Sequence, residues 1–405
     1  MRNVMALILA GGKGARLFPL TQHRAKPAVP FGGQYRIIDF TLSNCLNSNI
    51  RKIAVLTQYK SYSLDRHVRL AWNVVDPELG EFIVTVPPQQ RVSEDWYRGT
   101  ADAVYQNLSL VQQESPEHLF VLSGDHIYKM DYAKMLDFHR DTKADATIGA
   151  IEVSSGAASR FGVIEVDAKQ RIVAFEEKTT VPKTYNTDAA MCYANMGVYL
   201  FNIDSLAYYL AEDANSPTQH DFGKDILPKM VKEARVMAYE FSDENKKEAR
   251  YWRDVGTLDS YWEANMDLIA VDPLFNLYDQ EWPVRTHHGQ YPPAKFVFAE
   301  DFASGRVGLA MNSIVSSGCI ISGARVDCSV LSPSVRVDEH SEVSHSVIME
   351  NVTIGPHCKI RKTIIDKGTV IPPKTEIGYD FRVDAIRFMA TESGIIVVNK
   401  EMLPP

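Results

Sequence analysis

The sequence predicts an α/β domain with a mainly parallel sheet, followed by a parallel β-helix. Three observations lead there. Short apolar runs alternate with helix-like segments to about residue 150, and a mixed pattern continues to about residue 270. A stretch rich in proline and polar residues, "DQEWPVRTHHGQYPPAKF", then breaks the texture. Beyond it, branched aliphatics recur on a step that is neither helical nor strand-like. Strand–helix alternation calls for a parallel sheet with helices on both faces, and such sheets bind ligands at the carboxyl ends of their strands.

The elements follow in order. Val4–Leu9 reads as a buried first strand. It could pass for a short leader, but the run leads straight into Gly-Gly-Lys-Gly-Ala-Arg with no small-residue cleavage site. "KIAVLTQ", "EFIVTVP", "HLFVLSGD" and "ATIGAIEV" read as further strands. Ala101–Glu114 carries Val104, Leu108 and Val111 at helical spacing, with Thr100 as N-cap and Asp102 in the first turn. "YANMGVYLFN" and "DFGKDILPKM" close the first domain, set at 1–275. A linker takes 276–300, and the β-helix takes 301–405.

The β-helix rests on Leu309, Ile314, Ile320, Val326, Leu331, Val337, Val343, Ile348, Ile354, Ile360, Ile365, Ile371 and Ile377. The steps run 5, 6, 6 and repeat, so three steps span 17 residues. A helix needs a period of 3.6 and a strand a period of 2. A step near six with a threefold super-period gives a triangular coil with one inward aliphatic per side. Ser346 is off this frame and should tolerate a carboxylate that Ile348 would not.

Composition excludes several classes. A formal net charge of −8 leaves no electrostatic footprint for nucleic acid. Five cysteines form no Cys-x-x-Cys pair and no zinc spacing, which suits a reduced, cytoplasmic compartment. No segment approaches a membrane span in length.

"LILAGGKGARLFPL" sets glycines beside Lys13 and Arg16, a phosphate-like combination. A Walker A loop would need a closing Lys-Ser/Thr, and a dinucleotide fingerprint would need a glycine where Leu17 stands. What remains is a turn whose N–H groups can approach an anion, with Arg16 as a planar fork. Lys26 follows in "RAKPAVPFGG", where Pro27 and Pro30 stiffen the chain. Asp125 ends an apolar run, as a metal ligand or as a simple turn. Asp254 in "YWRDVGT" is equally open when taken alone. Together, two such carboxylates could share Mg²⁺ with substrate phosphates.

"LAGGKGARLFPLTQHRAKPAVPFGG" resembles the opening signature of the sugar-phosphate nucleotidyltransferases. "WYRGTADAVYQN", "SGDHIYKMDY", "HDFGKDI" and "YWRDVGTLDSYW" narrow the resemblance to the glucose-1-phosphate adenylyltransferase family, over nearly the whole chain. The resemblance implies a Rossmann-like nucleotidyltransferase domain, a left-handed β-helix and a homotetramer. It implies that ATP and glucose 1-phosphate give ADP-glucose and pyrophosphate with Mg²⁺, for glycogen biosynthesis. It makes Arg16, Lys26, Asp125 and Asp254 catalytic, with both aspartates on the metal. Leu9, Ala10, Gly11, Gly12, Gln90, Gly99 and Thr100 would hold the nucleotide. Tyr97, Gly162, Glu177, Lys178 and Asn195 would hold the sugar phosphate, Asn195 standing where the family usually has serine. Phosphorylated glycolytic intermediates or AMP would act as effectors at His23, Arg24 and Arg36, with His23 where many bacterial members carry lysine.

Three other readings compete. A β-helix acyltransferase could use His340, His345 or His357, but would leave the first domain unexplained. A non-catalytic regulatory subunit should have lost Arg16, Lys26, Asp125 or Asp254, and all four are present. The same chemistry with UTP or dTTP is separable only by a nucleotide panel.

Overall fold

The computed structural model describes all residues except 2, 90–95, 180–190, 300–305 and 404–405. Among the described residues, nine strands form the central sheet of the first domain: β1 (Val4–Leu9), β2 (Lys52–Leu56), β3 (Phe82–Val86), β4 (His118–Ser123), β5 (Ala146–Ser154), β6 (Gly162–Val166), β7 (Ile172–Glu177), β8 (Met191–Asn202) and β9 (Val236–Glu240). The order along the main path is β7-β6-β8-β4-β1-β2-β3, with β5 paired to β8 and β9. The strands β4, β1, β2 and β3 run parallel. The long β8 runs antiparallel to β4, β5 and β6. The expected mainly parallel sheet is therefore mixed. Its parallel half supports the glycine turn, and its antiparallel half forms the opposite wall of the site.

Both faces of the parallel half are buried, which explains why β1 is apolar throughout. Val4, Ala6 and Ile8 enter one core while Met5 and Leu7 enter the other. The expected Ala101–Glu114 helix is two helices, Thr100–Gln106 and Leu108–Glu114, joined at Asn107. The N-cap is Gly99 rather than Thr100. A Cβ at Gly99 would lie 2.2 Å from the His220 carbonyl oxygen, so only glycine fits this approach.

The segment after the first domain lies along the helix Ile37–Asn47. Trp282 Nε1 donates to Asn44 Oδ1 (3.0 Å), and Thr286 Oγ1 donates to Asp39 Oδ2 (2.7 Å). Lys295–Val297, inside the stretch expected as linker, already pairs in parallel with Ile320–Ser322 of the β-helix.

Three parallel sheets form the sides of the β-helix, and every aliphatic named from the 17-residue frame lies on one of their strands. The register shows one departure. Val326 pairs with Ala310, Leu331 with Val315 and Val337 with Ile321. From Val326 onward the step is 17, as in Val326 to Val343 and Leu331 to Ile348. The first coil is thus one residue shorter, and Ala310, Val315 and Ile321 face inward in place of Leu309, Ile314 and Ile320. Ile314 instead packs into the apolar cluster shared with the first domain.

Corners of the coil adopt left-handed backbone, among them Cys328, Ser334, His340, His345, Asn351, His357 and Lys362. The three histidines that an acyltransferase would have used are corner residues, and His340 stacks on His357 at 5.0 Å. Ser346 is not the tolerant surface position expected. It is fully buried in a ladder one coil deep per rung. The Ser329 N–H donates to Ser313 Oγ, the Ser346 N–H to Ser329 Oγ, and the Thr363 N–H to Ser346 Oγ.

Candidate active site

The glycine turn leaves the carboxyl end of β1. Gly14 has φ 62°, and a Cβ there would stand 3.1 Å from both Lys26 Cβ and Thr21 Cγ2. Glycine at this position lets the turn fold back against the segment that carries Lys26. Lys26 opens a short turn with Pro27 behind it. Its buried ammonium donates to Asp125 Oδ2 (2.8 Å) and to Asp254 Oδ1 (3.0 Å).

Asp125 and Asp254 meet because Trp252–Asp254 pairs antiparallel with His126–Tyr128, with Asp254 opposite His126. Asp125, His126 and Asp254 offer ligand atoms within 4.8 Å of one another. Ser123 Oγ donates to Asp125 Oδ1. Burial would raise the Asp125 carboxyl, but Lys26, His126 and Ser123 outweigh it and hold it well below the usual carboxylate range. Burial likewise opposes the charge on Lys26, and the two aspartates overcome it, so its pKa is raised. Two carboxylates sharing one monovalent cation fit a hard divalent metal, which prefers oxygen donors.

Several cavities border this cluster, among them two with different linings. One, of about 400 Å³, is lined by Leu9, Ala10, Gly11 and Gly12 on one side and by Tyr97, Gly99 and Thr100 on the other. The second, of about 340 Å³, is lined by Gly162, Glu177, Lys178, Asn195 and Tyr199. Asp125 borders both, while Asp254 and Arg16 border the second. Arg16 is exposed, and a Cβ on Gly256 would come within 3.0 Å of its guanidinium.

The sequence-derived residues therefore divide between two pockets, with Tyr97 beside the glycine turn rather than beside Glu177. The Tyr97 hydroxyl accepts from Asn107 Nδ2 at 2.9 Å. Gln90 lies outside the described residues. A Cβ at Gly162 would stand 2.7 Å from the Phe175 ring and 2.8 Å from Glu177 Oε2, so this glycine first of all admits the Glu177 side chain. Asn195 is engaged by its own strand: Oδ1 accepts from the Gly197 N–H (2.9 Å) and Nδ2 donates to the Tyr199 hydroxyl (2.8 Å).

Sequence reasoning passed over several residues here. Asp221 borders both cavities, accepts from Thr100 Oγ1 (3.0 Å) and caps the turn at Phe222–Ile226. His126 and Ser123 flank Asp125, and Arg160 borders the second cavity. "HDFGKDI" and "SGDHIY" contain three of them, but only spatial convergence separates them from capping or turn residues.

The expected effector residues have different partners. Arg24 is 3% exposed and forms a bidentate pair with Asp366 of the β-helix, at 2.8 and 2.9 Å. It is a buried clamp across the domain seam, not a free surface charge. His23 is exposed and contacts Glu401 Oε1 at 2.7 Å. Arg36 donates to the Ala28 carbonyl (2.9 Å) and Ser63 Oγ (3.0 Å), and borders a small cavity with His67, His287 and Glu350.

Comparison with known proteins agrees with this architecture. The nucleotidyl transferase family model matches residues 5–271, and a GlmU-like C-terminal hexapeptide model matches residues 292–398. A glucose-1-phosphate adenylyltransferase of Methylococcus capsulatus is 53% identical over 99% of this chain and 94% of its own length. Those of Rhodopirellula baltica and Koribacter versatilis are each 52% identical over 99% of this chain, and over 90% and 96% of theirs. With the glycine turn, the paired carboxylates and the β-helix all in place, the chain belongs to the nucleotidyl transferase family and, within it, to the glucose-1-phosphate adenylyltransferases.

Proposed function

We propose that this protein transfers the adenylyl group of ATP to glucose 1-phosphate, giving ADP-glucose and pyrophosphate. The observation that carries this reading is the Lys26–Asp125–Asp254 cluster at the junction of two cavities. One cavity has a glycine lining that lets a nucleotide approach the backbone closely. The other has a carboxylate and an ammonium for sugar hydroxyls and a phosphate.

The nucleophile is an oxygen of a phosphate monoester, already ionised at neutral pH, so no general base is needed. The difficulty is bringing a dianion to the α-phosphate of a polyanion, which calls for neutralisation and in-line positioning. Arg16 holds the leaving pyrophosphate. Lys26 leaves the carboxylates for the phosphates as the nucleotide enters. Lys178 meets the incoming phosphate, and Glu177 accepts from sugar hydroxyls. Asp125 and Asp254 would hold Mg²⁺, which would supply positive charge to the phosphates.

The reading extends to a cytoplasmic homotetramer serving glycogen synthesis, with phosphorylated glycolytic intermediates or AMP as effectors. Arg36 fits an effector site better than Arg24, whose charge is spent on Asp366. The decisive experiment is pyrophosphate release from ATP, UTP, dTTP and GTP with glucose 1-phosphate and Mg²⁺. ATP should be turned over far faster than the others. Equal turnover with UTP would defeat the adenylyl assignment.

A further inference from the structure

Three cations border the cavity assigned above to glucose 1-phosphate: Arg16, Arg160 and Lys178. Four carboxylates border it as well: Asp125, Glu177, Asp221 and Asp254. A phosphate dianion entering such a pocket needs positive charge that is not already engaged. Lys178 is partly engaged, with Nζ 3.2 Å from Glu177 Oε1. Arg160 is exposed, and no carboxylate of the described residues pairs with it. Its guanidinium leans over the neighbouring Phe161 ring, 5.6 Å from the centroid.

The backbone fixes where that guanidinium can reach. The Phe161 N–H donates to the Ala158 carbonyl (3.0 Å), and the Lys178 N–H donates to the Phe161 carbonyl (3.0 Å). The Phe161 ring meets Trp252 edge-on at 5.0 Å. Gly162 is paired with Glu177 across β6 and β7. Arg160 and Lys178 thus sit on one braced lip. Arg160 also borders the adjoining cavity with Arg16 and Asp254, which places it on the side of the reacting phosphates rather than of the sugar ring.

We propose that Arg160 binds the phosphate of glucose 1-phosphate together with Lys178, as a substrate-binding residue of this site. A planar guanidinium can hold two phosphate oxygens and still leave one free to attack. The proposal rests on the functional reading above, and a wild-type protein that makes no ADP-glucose would sink that reading itself.

The test is steady-state kinetics of Arg160→Ala and Arg160→Lys beside the wild type, with thermal melts as a folding control. In Arg160→Ala the KM for glucose 1-phosphate should rise roughly 10- to 100-fold, the scale of one charge-assisted contact. The kcat and the KM for ATP should stay within about threefold. Arg160→Lys should recover part of the loss. Calorimetric titration of glucose 1-phosphate into enzyme holding Mg²⁺ and a non-hydrolysable ATP analogue should show the same weakening without turnover. A KM for glucose 1-phosphate within twofold of wild type would overturn the proposal. So would equal losses for both substrates, or a weakening confined to ATP or pyrophosphate.

Discussion

Arg24 and Lys26 stand two residues apart on one segment and face two different regions of the molecule. Arg24 crosses the domain seam to Asp366, while Lys26 turns into the cleft of the candidate active site to Asp125 and Asp254. Both cations are buried and both are paired with carboxylates. The difference lies in stoichiometry and access. At the seam one guanidinium meets one carboxylate in a closed bidentate pair. In the cleft one ammonium serves two carboxylates that open onto two cavities. A closed pair is structure. An under-compensated pair beside a cavity is a site awaiting more positive charge.

The largest expected effect tests the seam. Arg24→Met leaves Asp366 buried without its partner and should lower stability by about 3–5 kcal/mol. Adding Asp366→Asn should restore most of it, because the uncompensated charge is then gone. Urea midpoints of the two single variants and the double variant measure this. If Arg24→Met cost no more than a surface substitution, Arg24 would be free to serve an effector after all.

Next in size is the cleft. Asp125→Asn should lower kcat roughly 10²–10³-fold while the fold persists, since it removes charge opposite the developing transition state. Because the folded-state pKa of Asp125 is depressed, its stabilisation is fully present above the ordinary value of about 3.9 and is lost as pH falls below it. Between pH 5 and 8 this carboxylate should therefore impose no acid limb on activity in the wild type. Retention of activity within tenfold in Asp125→Asn would remove Asp125 from the metal set.

The same contrast explains what the sequence could reveal. The strand Val4–Leu9 announces itself because both its faces are buried. The β-helix is legible because each inward residue meets its counterpart one coil away, so contacts in space become a period along the chain. The one-residue shortening of the first coil hid inside that period, since Leu309, Ile314 and Ile320 are as aliphatic as the residues that face inward. In the cleft, nothing along the chain links position 26 to 125 and 254. The pairing of His126–Tyr128 with Trp252–Asp254 spans more than a hundred residues and has no repeat to betray it. There the family resemblance supplied the grouping. Arg24 shows its limit, because the motif named the residue while only the fold showed its partner.

The smallest expected effect tests the β-helix against itself. Ser313 and Ser346, two rungs apart, make the same two bonds: each hydroxyl donates to the carbonyl two residues back, and each accepts an N–H from the next coil. They differ in burial. Ser346 is fully buried in the middle of the stack, whereas Ser313 is partly exposed on the first coil. Ser346→Ala leaves the Thr363 N–H and the Ser344 carbonyl without that partner, which costs about 1–3 kcal/mol when water cannot replace it. At Ser313 water can reach the same groups, so Ser313→Ala should fall within about 0.5 kcal/mol of wild type. Thermal midpoints of the two alanine variants, measured side by side, decide it. Equal shifts would mean that the ladder's hydroxyls contribute independently of burial.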